Sequence, residues 1–218
     1  MSRRRLALMA GAALAVLVAS IAAGSSLISK PPSITTHARD KRGATGATVT
    51  PTPAVSPPPR PAPTRPAGFV TFDDPKAGFS IAYPSTWKRL NAPDKEIRLL
   101  IADGTRASLL IRVAPVGLTV TRGTLGIVRK LTDSLVFADR SVKLLSQPEA
   151  ITLDGLPGYR YLYTFGAGSA RRRGAHVHYF VFRDQRLITL VFQVPGVGAL
   201  KRDLGTLDRL VGTFHVAP

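Results

Sequence analysis

Three successive arginines, Arg171-Arg172-Arg173, followed by Gly174, form the densest run of charge in the C-terminal part of the chain. They fall between two segments that read as strands, so the spacing predicts a hairpin tip. Guanidinium groups bind phosphate and carboxylate bidentately, and three at one tip would dock such groups on a partner. His176 follows closely and joins the arginines as a candidate partner contact. His176 and His178 are two apart in a strand and therefore share a face. Two imidazoles on one face would hold a metal if an Asp or Glu supplied a third ligand. The sequence offers no obvious third ligand, so they read as a half-exposed strand pair and no metal is expected.

Other chemistry has little to rest on. The chain has no cysteine, which excludes disulfides, thiolate nucleophiles and Cys-ligated metal or iron–sulfur centres. No G-x-S-x-G, H-E-x-x-H or G-x-x-x-x-G-K-[ST] pattern occurs. Gly196-Val197-Gly198 is half of a dinucleotide loop, but the third glycine is missing and tight turning explains it. Asp73, Asp74 and Asp94 form no catalytic pair. The chain reads as a non-enzyme without a cofactor.

The elements around these residues follow from periodicity. Strands are predicted at Phe69–Asp73 and Gly78–Tyr83. Glu96–Ala102 and Ala107–Val113 alternate apolar and polar residues around the turn pair Asp103-Gly104, the pattern of an antiparallel hairpin. A helix is predicted from Arg122 to Phe137, with Leu125, Val128, Leu131, Leu135 and Val136 on one stripe and Thr121 as its cap. Short strands follow near Val142–Ser146 and Ile151–Leu153, closed by Asp154-Gly155. Gly158–Phe165 puts Tyr159, Tyr161, Tyr163 and Phe165 on one face. Ala175–Arg183 and Leu187–Val194 come next, joined by Arg183-Asp184-Gln185-Arg186. An amphipathic helix, Gly198–Val211, ends the chain with Leu200, Leu204, Leu207 and Leu210/Val211 inward and Phe214 plugging the core. Short links favour antiparallel pairing. The order of strands, helix, strands, helix predicts an α+β fold, an antiparallel sheet flanked by helices.

All 15 aromatic residues lie from Phe69 onward. Aromatic side chains dominate core packing, so the globular domain is read as residues 68–218. Before it, Arg3-Arg4-Arg5 precede an uncharged run from Leu6 to Ser29, long enough as a helix to span a bilayer. The flanking charge places the N-terminus in the cytoplasm and the rest outside the plasma membrane. Residues 1–30 are thus expected to be a single-pass anchor; a cleaved signal peptide is the alternative reading. Residues 31–67 include ten prolines and few large apolar residues, the composition of a disordered linker, extended as polyproline II over 51–63. Net charge is +17. Residues 1–67 carry nine Lys/Arg against one Asp, and residues 68–218 carry 21 Lys/Arg against 12 Asp/Glu. Both parts favour anionic partners. Nucleic acid fits the charge but not the expected compartment.

The segment Phe72-Asp73-Asp74-Pro75-Lys76-Ala77-Gly78-Phe79-Ser80-Ile81-Ala82-Tyr83-Pro84-Ser85-Thr86-Trp87 resembles the opening of the PsbP-like (Mog–PsbP, DcrB-like) group. Asp154-Gly155-Leu156-Pro157-Gly158 before a strand, and a closing helix with Thr213-Phe214, extend the likeness over most of 68–216. The resemblance implies an antiparallel sheet between helices and a role in binding or assembly rather than catalysis. It carries over no metal or partner site. The expectation is a non-catalytic, membrane-tethered extracytoplasmic module that docks an envelope protein or an anionic envelope component. The alternative is a carrier of lipid or a small molecule in an apolar pocket between sheet and helix.

Overall fold

The computed structural model describes residues 65–104, 106–166 and 173–217. The expected anchor (1–30), the linker as far as residue 64, and Arg171 and Arg172 lie outside the described residues. Among the described residues no helix is long and apolar enough to cross a membrane.

The elements run β1 (Phe69–Asp74), β2 (Phe79–Pro84), β3 (Lys88–Arg89), β4 (Ile97–Asp103), β5 (Ala107–Pro115), a 3-10 turn (Leu125–Val128), α1 (Arg129–Val136), β6 (Lys143–Leu144), β7 (Glu149–Leu153), β8 (Leu156–Phe165), β9 (Gly174–Arg183), β10 (Arg186–Val194), α2 (Val197–Val211) and β11 (His215–Val216). The fold is α+β with every strand pair antiparallel. The larger sheet has the order β3-β4-β5-β10-β9-β8-β6, with β7 also on β8. β1, β2 and β11 form a second sheet of three strands, where the sequence predicts a single one. β11 is two residues long, too short to leave a periodic signal.

Both faces of the large sheet are covered. On one face Leu99, Ile111, Val177, Leu190 and Phe192 pack with α2 and β2, through Leu200, Leu207, Leu210 and Ile81. Each fully buried leucine there contributes roughly 1.5–3 kcal/mol. Leu204 is only half-buried and Ala199 takes an inward place. Phe214 stacks on Phe79 at 5.6 Å between ring centres and so joins the small sheet to this core. Trp87 is buried in the same cluster. On the other face Tyr159, Tyr161, Tyr163, Phe165, Phe180 and Phe182 pack with Leu125, Val128 and Val136.

The first helix is shorter than its apolar stripe predicts. Gly123 and Gly126 weaken helix formation in its first turn, and the segment tightens into a 3-10 turn before α1 begins. Thr121 caps the turn ahead of it rather than the helix. Its Oγ1 accepts from Thr124 N–H at 3.3 Å, while Thr124 Oγ1 accepts from Thr121 N–H at 2.9 Å. In the hairpin of β7 and β8, Asp154 and Gly155 both have positive φ, 46° and 84°, as a two-residue turn matching strand twist requires.

Candidate functional site

β8 and β9 are ten residues each and carry the predicted arginine tip at one end. Gly174 begins β9 and lies under the Phe165 ring; a Cβ there would meet Phe165 Cζ at 2.5 Å. Only glycine lets ring and backbone close this tightly. Gly166 N–H donates to Ser141 Oγ at 2.7 Å. The two strand ends are therefore fixed, and Arg173, just outside them, is exposed. Arg171 and Arg172 belong to the connection outside the described residues.

His176 and His178 are not a half-exposed pair. They are 2% and 6% exposed, because α1 and its preceding turn cover that face of β8 and β9. His176 is thus in the core and offers no surface contact beside the arginines. Strand register explains its surroundings. Tyr163 on β8 pairs with His176 on β9, and His176 with Gln193 on β10, so the three side chains share one row. Tyr163 Oη lies 2.9 Å from His176 Nδ1 and 3.1 Å from His178 Nδ1. His176 Nε2 lies 3.2 Å from Gln193 Oε1.

One set of tautomers satisfies these contacts. With Gln193 Oε1 as the acceptor, His176 carries its proton on Nε2 and its Nδ1 is an acceptor. The single hydroxyl proton of Tyr163 goes to that acceptor. Its oxygen then takes the Nδ1–H of His178. His178 Nε2 is left as a lone pair, buried and without a hydrogen-bond partner among the described residues. The His178 ring stacks on Phe180 at 3.9 Å and 25°, as a neutral ring does. Burial pushes His176 down to about 4 and holds His178 well below the ordinary imidazole range, with His176 adding to the latter. Burial likewise raises the Tyr163 phenol. The row is a buried, hydrogen-bonded network held in its neutral form.

A second polar tie joins α1 to the sheet. Tyr161 Oη meets Thr132 Oγ1 at 2.6 Å and donates to Asp133 Oδ1 at 2.7 Å. Thr132 Oγ1 also lies 2.9 Å from Arg129 O, so its one proton serves either that carbonyl or the Tyr161 oxygen. Arg129 Nε reaches Asp133 at 3.0 Å and its guanidinium lies over the Tyr159 ring at 5.2 Å. The tyrosine stripe therefore anchors the helix. Among the described residues no three His, Cys, Asp or Glu side chains come together as metal ligands would. Sequence alone does not pair Tyr163 and Gln193 with the histidines, because only strand register brings the three elements into one row.

No family model and no curated protein matches the chain. Solved structures are similar in fold. Cyanobacterial PsbP (CyanoP) from Synechocystis superposes with a TM-score of 0.54 at 16% identity, over 74% of this chain and 99% of that one. LpqN of Mycobacterium tuberculosis, described as involved in cell envelope biogenesis, gives 0.48 at 10% identity over 64% and 83%. The Ran-binding protein Mog1p of Saccharomyces cerevisiae gives 0.44 at 10% over 68% and 95%. The fold is PsbP-like, as the motifs around Phe72–Trp87 imply.

Proposed function

We propose that this PsbP-like domain is a non-catalytic binding and assembly module, held outside the plasma membrane by the 1–30 anchor and the proline-rich 31–67 linker. It docks an envelope protein or an anionic envelope component through Arg171, Arg172 and Arg173. The observation that carries this reading is the contrast at the end of β8 and β9. Exposed Arg173 sits beside the close packing of Phe165 on Gly174, while the two imidazoles behind it, His176 and His178, are buried and neutral. A cationic cluster steers and orients an anionic partner. His176 is left out of the contact, since it is buried.

Two experiments test the parts separately. The chain has no cysteine, so Ser85→Cys, at an exposed position, is a unique label site. A membrane-impermeant maleimide should label it in intact cells; labelling only after lysis would place the domain in the cytoplasm. Crosslinking of the full chain in its native envelope, at low and high salt, should capture a partner at low salt only. A partner held equally at both would refute the electrostatic tip.

A further inference from the structure

At the far end of β9 and β10 from the arginine tip, about 30 Å away along a strand of ten residues, lies a surface cleft of about 270 Å³. Its floor is Ala77 and the end of β5, Val113 to Pro115; its walls are Lys76, Arg98 and Arg186. Among the described residues no carboxylate lines it. The nearest, Asp74, is 5% exposed and already engaged. Its Oδ1 accepts from Ala77 N–H and Arg98 Nη2, each at 3.0 Å, and its Oδ2 from Arg98 Nε. A guanidinium has five N–H donors; Asp74 takes two of those on Arg98. Lys76 and Arg186 have no ion pair among the described residues. Three cations against one carboxylate leave a surplus of two positive charges, the charge of a phosphate monoester with the sign reversed.

The cleft is built rather than incidental. A bulge in β4 between Ile97 and Leu99 shifts the register at Arg98 and turns its side chain to Asp74. Arg186 Nη1 reaches Lys76 O at 3.4 Å across the cleft. Gly78 holds φ +72° beside it, its carbonyl accepting from Arg183 Nη1 while Arg183 Nη2 donates to Ala217 O at 2.8 Å. The β1–β2 turn that carries Lys76 is thereby fixed against β9 and the chain end.

We propose that this cleft is an anion site for a phosphate ester of a small alcohol: the phosphate on Lys76, Arg98 and Arg186, the alcohol over the apolar floor. Pre-placed guanidiniums supply charge-assisted bonds to the phosphate oxygens, and the volume admits little beyond the phosphate and a few carbons. The site shares no residue with the arginine tip and stands or falls independently of it.

The test uses the full chain in phosphatidylcholine nanodiscs, titrated with glycerol 3-phosphate by calorimetry. Saturable binding is expected, weaker by about tenfold or more in Lys76→Gln/Arg186→Gln, which removes two charged donors from exposed positions. Arg171/172/173→Ala should leave it unchanged. Phosphatidylglycerol in the disc, if it weakens the free ester, identifies a lipid headgroup as the source; if it does not, the source is a soluble ester. Equal binding by wild type and the double variant, or no saturable binding at millimolar ester, would overturn the site. A thermal melt showing that the double variant unfolds with wild-type cooperativity keeps the comparison valid.

Discussion

Acidification should destabilise this domain well before its carboxylates protonate, and the two buried histidines should be the cause. Burial holds both rings below the 6.5 of an exposed imidazole, and His176 lies at about 4. As pH falls, the unfolded chain therefore takes up protons before the folded one. The stability of the neutral rings is complete above about pH 6.5 and is lost on the way down towards pH 4. For His176 alone, lowering the pH from about 7.5 to about 5 removes on the order of 2 kcal/mol, from the linkage between a pKa of 6.5 and one of about 4. His178 adds a loss of the same sign. Urea unfolding of the full chain, followed by the fluorescence of buried Trp87, measures this at the two pH values. His176→Gln/His178→Phe removes both titrations and keeps an aromatic ring against Phe180. Its absolute stability is lower, but its pH dependence should be nearly flat across the interval. The difference in slope between the two proteins cancels every other titrating group. Equal slopes would refute the buried, neutral network.

Two further substitutions probe the packing that positions the site. Tyr161→Phe removes the hydroxyl that ties Thr132 and Asp133 to the sheet; it should cost about 1–2 kcal/mol in urea unfolding, and no loss would mean that α1 is held by its apolar side chains alone. Gly158→Ala would place a Cβ 2.2 Å from the Phe180 carbonyl oxygen, a backbone atom that cannot move without opening the β8–β9 ladder. A loss of about 3 kcal/mol is expected, the upper part of the overpacking range, and a variant as stable as wild type would contradict the close strand approach.

Most of the large sheet was legible in the sequence because its strands alternate strongly and are separated by turn residues with special backbone needs. Asp154-Gly155 is the clearest case: the dipeptide predicts the turn, and both residues have positive φ. The closing helix was legible through Leu200, Leu207 and Leu210. Its neighbour was not, because apolar spacing at Leu125 and Val128 fits a 3-10 turn as well as an α-helix over so short a run. The small sheet was hidden because β11 forms through its register with Phe79 and Ser80, far away in sequence. Site chemistry was legible only where residues are consecutive. The arginine run stands out as a string of letters. The row of Tyr163, His176 and Gln193, and the cleft of Lys76, Arg98 and Arg186, each draw on three separate strands or turns. His176 was read beside the arginines because it is near them in sequence, yet strand alternation and the covering helix turn it into the core.

Docking by the arginine tip is tested by the crosslinking yield of one identified partner with the full chain in its native envelope, comparing wild type, Arg171/172/173→Ala and Arg171/172/173→Lys. Loss of the forked donors costs more than loss of charge alone would at a bidentate site. Near-complete loss is expected with alanine, partial retention with lysine, and loss of the wild-type crosslink at high salt. Equal yields from all three proteins, or a wild-type crosslink that survives high salt undiminished, would contradict it.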